Sequence, residues 1–304
     1  MAVAEGDLQT EPGLQASWQL LFNLCGMEIE AMCLPGCLEH VTAKLSRRGL
    51  LGAAAAATVA GAGALTSNGA AAQAYPAFRK VVDLTHTLSP EFPTFFGTPG
   101  ISLKTVKEIK QDGYNMTEWT VGEHSGTHLD APIHFSETGI GPDAITVEQL
   151  IVPLAVITVA DKASVDADYQ LTPADITAWE RRHGALPKGC CVALNSGWDR
   201  LVGSSKFTGK DDKGAFHFPG FHPETTDLLL KERNVAGIAV DTLSLDHGPS
   251  KDFKTHYTWL PAGRWGLENV ANLARVPARG ATLVVGAPKI KGATGGPARV
   301  FALT

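Results

Sequence analysis

The stretch LIVPLAVITVADKASVDADYQLTPADITAWERRHGALPKGCCVALNSGW, residues 150–198, contains two apolar runs on either side of a helical segment. The runs at 150–160 and 190–198 are short, apolar and bounded by Gly or Asp, as β-strands are, and the first is rich in β-branched residues. Residues 172–184 begin with a Thr cap followed by Pro and end at Gly, which is typical of a helix. This order of strand, helix and strand predicts an α/β fold.

The same alternation continues along the chain. Further strand-like runs lie at 81–85, 235–245 and 281–290. Residues 222–235 have Pro in the first turn and an apolar stripe, which predicts a second long helix. Shorter helix candidates are VEQLIVP, residues 147–153, and LENVANLARV, residues 267–276. Since no internal repeat interrupts this pattern, we expect one compact domain over residues 75–304.

The first 74 residues have the composition of a leader. Arg47 and Arg48 precede the weakly hydrophobic stretch GAAAAATVAGAGAL, and small residues near Ala74 suit a signal cleavage site. A twin arginine before a mild apolar segment is typical of a Tat export signal. The segment is too short and too Gly-rich for a good spanning helix, so we expect it to be removed and to leave no stable membrane anchor. The sequence therefore predicts an exported protein, periplasmic or secreted.

Composition and charge exclude several classes of protein. The 304 residues are 44% hydrophobic and 19% charged, with a formal net charge of −5. Such a chain is globular and has enough apolar mass for a sizeable core. It lacks the basic patch that nucleic-acid binding requires. We therefore expect a small-molecule partner and no nucleic acid.

Four side chains that can bind a metal or move a proton occur within the stretch HSGTHLDAPIHF, residues 124–135. They are His124, His128, Asp130 and His134. A glycine and a proline in the stretch make a continuous helix unfavourable. All four positions have the same parity, and side chains two apart point to one face of an extended chain. The spacing predicts that one face of a strand or an extended loop presents all four groups.

The chemistry of these residues points to a catalytic metal site. Two imidazoles and a carboxylate suit zinc, manganese or iron, and three protein ligands leave positions open for water and substrate. A hydrolytic site also needs a proton carrier that is not itself a ligand. His134 is the natural candidate because an unperturbed histidine has a pKa near ~6.5.

At this point the sequence resembles a known family. HSGTHLDAPIHF is similar to the H-x-G-T-H-x-D-x-P-x-H signature of the metal-dependent cyclase-like hydrolases, which include bacterial kynurenine formamidases and isatin hydrolases. All seven defined positions match, and the similarity extends over most of residues 80–290. The resemblance implies the cyclase-like fold, of the swivelling β/β/α type, with a mostly β core and flanking helices. It also implies a homodimer or higher homo-oligomer.

The resemblance also implies a ligand set. Carried over by position, it assigns metal ligation to His124, His128 and Asp130, with His256 and Glu268 completing one site or bridging a second ion. One or two ions of zinc or manganese are expected. His134 takes the place of the family's acid/base histidine.

Taken together, these features predict a metal-dependent hydrolase that cleaves a non-peptide C–N bond in an aryl formamide or a cyclic amide. Phe95, where the family often has Trp, and Trp198 are candidates to hold a flat substrate. Because kynurenine formamidase activity belongs to cytoplasmic tryptophan catabolism, an exported member points instead to an environmental amide or lactone. Residues 201–218, rich in Lys, Gly and Asp, are predicted to form a mobile loop and a candidate lid.

Two alternatives remain open from the sequence. Two histidines and one carboxylate also form the facial triad of non-haem iron oxygenases. A periplasmic binder of metal or small ligands could retain the same ligands without catalysis. His134 distinguishes the hydrolase from the binder, because a binder needs no proton carrier.

Overall fold

The structure, a computed structural model, describes residues 78–304. The predicted leader, with its twin arginine and cleavage site, lies outside the described residues. The strands are β1 (Val81–Asp83), β2 (Ile101–Lys107), β3 (Met116–Val121), β4 (His128–Asp130), β5 (Ile151–Thr158), β6 (Gln170–Leu171), β7 (Cys191–Asn195), β8 (Gly220–Phe221), β9 (Gly237–Val240), β10 (Trp265–Glu268), β11 (Ala281–Gly286), β12 (Gly295–Pro297) and β13 (Arg299–Leu303).

Six α-helices accompany these strands in the described part of the chain. They are α1 (Ile109–Asp112), α2 (Val147–Leu150), α3 (Ala160–Val165), α4 (Pro173–His183), α5 (Pro223–Glu232) and α6 (Lys254–Trp259). Only α4 and α5 are longer than two turns. The predicted α/β class is confirmed, with strands more numerous than helices.

A nine-stranded mixed sheet forms the centre of the fold, in the order β1-β13-β11-β5-β7-β9-β10-β4-β12. The strands β5, β7, β9 and β10 run parallel to one another. The remaining strands pair antiparallel at both ends of this parallel centre. The long β-branched runs found in the sequence form the middle of the sheet, where strands are buried on both faces.

Strand β5 shows how both faces of the sheet are covered. Leu154 and Val156 belong to one apolar cluster, whereas Ala155 and Ile157 belong to the other. Successive side chains of a strand point to opposite faces, so an uninterrupted apolar run fills two cores at once. The helices α4 and α5 cover the second cluster, into which α4 inserts Trp179.

The predicted boundaries of α4 are confirmed by its caps. The Thr172 hydroxyl accepts a hydrogen bond from the backbone N–H of Asp175, and the Asp175 carboxylate accepts one from the backbone N–H of Thr172. This reciprocal pair satisfies two N–H groups that the first turn would otherwise leave unpaired. Gly184 ends the helix with a φ of 82°. A residue without a Cβ adopts this conformation at little cost.

One predicted helix is wrong. Residues 267–276 contain the end of β10 and a 3₁₀ turn at Leu273–Arg275. Leu267 pairs with β9 on one side and with β4 on the other, so strand hydrogen bonds use its backbone. Asn269 and Asn272 then take positive φ values of 54° and 58°, which a helix does not permit. Tertiary pairing therefore overrides the local helical pattern.

The candidate lid, residues 201–218, is a chain of turns packed onto the domain. Phe207 and Phe218 are fully buried and join an aromatic cluster with Phe92 and Trp198. The predicted loop is present, and these two side chains anchor it. None of the helices in residues 78–304 has the length and apolarity to cross a membrane.

Candidate metal centre

The short strand β4 sits between β10 and β12 and carries two of the predicted ligands. His128 and Asp130 point to one face, whereas Leu129 between them enters the apolar core. Glu268 lies directly opposite His128 in the antiparallel register of β10 and β4. Side chains facing each other across such a pair lie within about 5.5 Å. The register therefore places the carboxylate of Glu268 beside His128 and Asp130.

The turn at Gly126 brings His124 back toward the strand. Gly126 has a φ of 62°, and its carbonyl accepts hydrogen bonds from the Asn269 side-chain amide and from Nδ1 of His128, both at 2.9 Å. A Cβ at this position would lie 3.0 Å from a methyl carbon of Leu88. Because Nδ1 of His128 donates to this carbonyl, Nε2 is the ring nitrogen that faces the site.

His124 is held from both ring nitrogens. Its Nδ1 lies 2.6 Å from Oδ1 of Asp130, and its Nε2 lies 3.0 Å from the Thr294 hydroxyl. That hydroxyl donates to the carboxylate of Glu123, which also accepts the backbone N–H of Thr294. These contacts set the plane of the imidazole beside β4.

The last two predicted ligands complete the cluster. Nε2 of His256, from α6, lies 3.2 Å from Oε1 of Glu268 and 3.5 Å from Oδ2 of Asp130. Nε2 of His128 lies 3.3 Å from both Oδ1 of Asp130 and Oε2 of Glu268. The structure therefore brings His124, His128, Asp130, His256 and Glu268 to one point.

The charges of this cluster balance one another. Burial alone would raise the pKa of Asp130, but the imidazoles of His124, His128 and His256 beside it hold that pKa well below its usual range. Burial alone would lower the pKa of His128, yet the nearby carboxylates of Asp130 and Glu268 raise it to about 10. The two buried carboxylates therefore stay ionised and require positive charge beside them.

The donor set fits a divalent cation. Nε2 of His128 and Oδ2 of Asp130 are buried and have no hydrogen-bond partner within the described chain. Ligand atoms about 2.1 Å from one ion lie roughly 3.0 to 3.4 Å apart in octahedral or tetrahedral geometry. Nε2 of His128 and Nε2 of His256 lie 3.2 to 3.5 Å from oxygens of Asp130 and Glu268, which is close to this range. The shorter contact of 2.6 Å between His124 and Asp130 is a direct hydrogen bond. A cation would satisfy both orphaned atoms at once.

His134 lies beside the cluster but reaches it differently from the prediction. It belongs to the 3₁₀ turn Pro132–Phe135 and not to an extended strand. Its ring stacks on His124 with centroids 3.7 Å apart and lines the neighbouring cavity. Burial lowers the pKa of His134 to about 4, so its imidazole is neutral near pH 7.

A cavity of about 240 Å³ opens next to the metal ligands. One part of its wall is polar and includes the imidazoles of His124, His134 and His256. Another part is aromatic and consists of Phe95, Phe96, Phe135 and Phe253. Such a combination of apolar side chains and a few convergent polar groups is typical of a small-molecule binding site.

Comparison with known proteins identifies this architecture. Residues 82–247 match the family described as putative cyclase. An isatin hydrolase from Roseibium aggregatum is 33% identical over 242 residues, which cover 74% of this chain and 91% of that protein. The chain belongs to the putative cyclase family. It is a metal-dependent hydrolase.

Solved structures of cyclase-family members support this conclusion. An isatin hydrolase bound to the product analogue thioisatinate is 31% identical, with a TM-score of 0.70 over 74% of this chain and 92% of that one. Isatin hydrolase A from Ralstonia solanacearum is 34% identical, with a TM-score of 0.69 over 73% of this chain and 91% of that one. The family and the His/Asp donor set together support a divalent metal.

The structure places only one of the two predicted substrate contacts, Phe95 and Trp198, at the cavity beside the metal centre. Phe95 lines it and stacks on Phe216 with ring centroids 4.7 Å apart. Trp198 is not among the lining residues. Its indole N–H donates to the Phe207 carbonyl, and its ring packs in the aromatic cluster beneath the loop. Its side chain therefore supports the loop and does not face the cavity.

Three supporting residues of the cyclase-family site were missed by the sequence reasoning. Asp246 accepts a hydrogen bond from Nδ1 of His256 at 2.6 Å, and Glu123 and Thr294 hold His124. The carboxylate in SLDHG, ten residues before His256, was the one visible signal for Asp246. Thr294 lies 170 residues from His124, and no local pattern connects them.

Proposed function

We propose that this hydrolase cleaves the C–N bond of a small aromatic cyclic amide, with isatin as the type of substrate, and that aryl formamides are a second substrate of the same class. The relatives named isatin hydrolase support this choice, as does the aromatic wall of the cavity. The observation that carries the proposal is the position of His134. Its imidazole is stacked on a metal ligand and exposed to the same cavity as the aromatic wall.

Zinc or manganese would be held by five side chains, those of His124, His128, Asp130, His256 and Glu268. When bound there, a divalent ion would polarise the substrate carbonyl and make water acidic enough to react near neutral pH. Phe95, Phe135 and Phe253 would hold the flat ring of the substrate, because aromatic faces pack on one another with specific geometry. Their apolar surface also excludes water from the aromatic part of the ligand.

His134 would move the proton. Its neutral imidazole accepts a proton from the attacking water as the new C–O bond forms. The same proton is then donated to the amide nitrogen as the C–N bond breaks. Water is added across the bond, so the carbonyl carbon becomes a carboxylic acid and the nitrogen becomes an amine. No oxidant or further reactant is required.

The test compares metal content and turnover in the full-length chain. Wild type, His134→Ala and His183→Ala are purified, their bound metals are determined by elemental analysis, and hydrolysis of isatin and N-formylkynurenine is measured. His183 is an exposed histidine on α4 outside the site. We expect wild type and His183→Ala to be active, and His134→Ala to keep its metal but lose roughly 10² to 10⁴-fold in kcat.

Three outcomes would contradict this proposal. Metal-loaded wild type that turns over neither compound would exclude the proposed substrate class. Substrate-dependent oxygen consumption with bound iron would favour the oxygenase chemistry that a facial triad also permits. Full activity in metal-loaded His134→Ala would exclude the proton-transfer role of His134.

We also propose that the protein is exported, which is a separate hypothesis. It is supported by Arg47 and Arg48 before the Ala-rich stretch and by the small residues near Ala74. Fractionation of cells producing wild type and an Arg47→Lys/Arg48→Lys variant tests it. We expect wild type to leave the cytoplasm and the variant to remain there.

A further inference from the structure

The loop at residues 201–218 places a lysine next to the aromatic part of the cavity. Nζ of Lys210 lies over the ring of Phe216, 4.7 Å from its centroid. Phe216 in turn stacks on Phe95, which lines the cavity, with ring centroids 4.7 Å apart. The ammonium of Lys210 is therefore separated from the cavity wall by no more than one aromatic ring.

A second contact places this ammonium at the entrance of the cavity. Phe96 lines the cavity and is 77% exposed, so it marks the side on which the cavity meets solvent. The next residue, Gly97, has a φ of 72°, and a Cβ built on it would lie 3.8 Å from Nζ of Lys210. Lys210 is thus packed on the segment that contributes Phe95 and Phe96 to the wall.

The backbone on both sides of Lys210 is held in place. A Cβ on Gly209 would overlap the backbone carbonyl of His217, so these two segments lie in direct contact. On the other side, Oδ1 of Asp211 accepts two backbone N–H groups of the following turn, at 2.9 and 2.8 Å. Side-chain hydrogen bonds of this kind stabilise a turn. The loop therefore presents Lys210 from a defined position.

The positive charge of Lys210 is not paired with a carboxylate. No carboxylate oxygen of residues 78–304 lies within 4.0 Å of its Nζ. Its neighbour Asp211 uses Oδ1 on the turn, and Oδ2 lies 3.7 Å from Nε2 of His217. Ordering a lysine side chain costs conformational entropy, and the contact with Phe216 offsets part of this cost. An unpaired ammonium held at a cavity entrance is suited to bind an anion.

The cavity itself does not repel an anion at this entrance. Among its described lining residues Glu268 is the single carboxylate. The oxygens of Glu268 lie 3.2 Å from Nε2 of His256 and 3.3 Å from Nε2 of His128, and one accepts the backbone N–H of Leu245. Its negative charge is therefore directed to the cluster of metal ligands, and Lys210 adds a positive charge beside the aromatic part.

We propose that Lys210 determines substrate specificity by binding an anionic substituent, a carboxylate or a sulfonate, on the aromatic ring of the substrate. The substituent lies on the edge of the ring away from the scissile C–N bond. The preferred substrates are then anionic aryl amides and not the unsubstituted cyclic amide. This inference rests on the proposed function, because it requires the aromatic wall to hold the substrate ring.

The position of the reacting bond determines which edge of the ring meets Lys210. The amide must lie beside His134 and the metal ligands, and the flat ring packs along Phe95. The edge of the ring that is remote from the amide is then directed to the entrance, where Nζ of Lys210 lies. A cation at the entrance also attracts anions from solution, and salt screens that attraction. Because this contact is made before the reaction, we expect KM to change more than kcat.

The first experiment compares two compounds of similar shape and different charge. Isatin-5-sulfonate carries a negative charge that isatin-5-sulfonamide lacks. Both are hydrolysed with full-length, metal-loaded wild type, Lys210→Met, Lys210→Glu and Lys213→Glu. The last variant is the matched control, because Lys213 is an exposed lysine of the same turn.

The measured quantity is the ratio of kcat/KM for the sulfonate to kcat/KM for the sulfonamide. We expect a ratio of roughly five or more in wild type and in Lys213→Glu, about one in Lys210→Met, and less than one in Lys210→Glu. About 0.5 M salt should reduce the wild-type ratio toward one.

The second experiment measures binding without turnover. Isothermal titration calorimetry is applied to both compounds with metal-loaded His134→Ala and with His134→Ala/Lys210→Met. We expect the sulfonate to bind roughly fivefold more tightly than the sulfonamide when Lys210 is present, and with equal affinity when it is replaced.

The outcomes separate this inference from the proposed function. A wild type with no preference for the sulfonate, or a preference that persists in Lys210→Met, overturns the role of Lys210 and leaves the hydrolysis of cyclic amides intact. A preference lost to the same extent in Lys213→Glu assigns it to the general charge of the loop and overturns a site at Lys210. Charge-selective binding that depends on Lys210, without hydrolysis of either compound, upholds the anion site while the proposed substrate class fails. Absence of binding of both compounds overturns both.

Discussion

The metal centre and the aromatic wall of the cavity meet at His134 but are built in opposite ways. The proposed metal ligands lie mainly on β4 and β10, where strand register and at least one hydrogen bond per side chain determine their positions. The aromatic wall comes from separate loops, and its rings hold one another by stacking and edge contacts. A rigid strand site suits chemistry that tolerates little displacement, and loops permit the substrate to change. The two regions should therefore respond differently to substitution.

The largest difference between the metal centre and the aromatic wall is expected when His128 is replaced. His128→Ala removes a fully buried ligand whose Nε2 faces Asp130 and Glu268. The site would then lose one of its proposed ligands, so bound metal should fall below one equivalent and hydrolysis should fall roughly 10³-fold or more. Elemental analysis and turnover of isatin measure both effects. Retention of full metal content would show that His128 is not a ligand.

Replacement of Asp246, which supports the metal centre, is expected to have an intermediate effect on metal affinity and activity. It accepts a hydrogen bond from Nδ1 of His256 and is buried beside it. Asp246→Asn keeps the shape but weakens this support, and loss of such a partner typically costs about 10 to 100-fold in metal affinity or activity. The matched control is Asp252→Asn, an exposed carboxylate in the same loop.

A purely structural role for Asp246 predicts a different result. If Asp246 positions His256 for the metal, a large excess of zinc or manganese should restore most of the activity of Asp246→Asn, while its melting temperature changes little. Lost activity that excess metal does not restore, together with a lower melting temperature, would show that Asp246 supports the fold alone.

On the wall of the cavity, Phe253 should affect substrate binding and not metal. It has a φ of 47° and lines the cavity beside Phe95 and Phe135, with ring centroids 6.0 and 5.9 Å from theirs. A residue with a Cβ is strained in this conformation. Phe253→Ala removes the ring and keeps part of the strain, whereas Phe253→Gly removes both.

We expect both variants to retain metal and to raise KM roughly tenfold. The reason is that even a contact the size of one methylene group contributes about 1 to 3 kcal/mol to binding in an apolar pocket. The glycine variant should be about 1 kcal/mol more stable to unfolding than the alanine variant, since glycine adopts positive φ without strain. Steady-state kinetics gives the KM of each variant, and denaturant unfolding gives its free energy of unfolding. An unchanged KM in both variants would remove Phe253 from the substrate wall.

The same contrast explains what the sequence could predict. The ligands His124, His128 and Asp130 share one short segment, so their chemistry and spacing are visible locally. The strands β1, β5, β7, β9 and β11 and the caps of α4 also follow from local patterns, as their agreement with the structure shows. The linkage of Thr294 to His124 depends on tertiary pairing across 170 residues and leaves no local signal.

The aromatic residues show what local sequence patterns cannot predict. Phe95 and Trp198 look equally suited to hold a flat substrate in the sequence, yet only Phe95 faces the cavity. Which side of a loop a ring occupies depends on its neighbours in the fold, and periodicity says nothing about it. The strand ending at Glu268 was predicted as helix for the same reason, because β4 and β9 determine its conformation.

The smallest effect is expected from the loop that supports the aromatic wall, and it depends on pH. His217 follows Phe216, the ring on which Phe95 stacks, and its Nδ1 lies 2.8 Å from a carboxylate oxygen of Asp168. Hydrogen bonding to Asp168, and further to Asp211, raises the pKa of His217 above its usual value. Protonated His217 therefore attaches the loop to the domain.

A histidine whose pKa is raised by folding contributes stability that is complete below its unfolded pKa of about 6.5 and is lost as the pH rises through the folded pKa. The melting temperature of wild type should thus exceed that of His217→Gln by a few degrees near pH 6, and the difference should shrink above pH 8. Because His217 is partly exposed, about 0.5 M salt should reduce it as well. His183→Gln provides the control for an exposed histidine outside this contact. A difference that grows with pH would show that neutral His217 holds the loop, and the wall beside Phe95 would then be stabilised by packing alone.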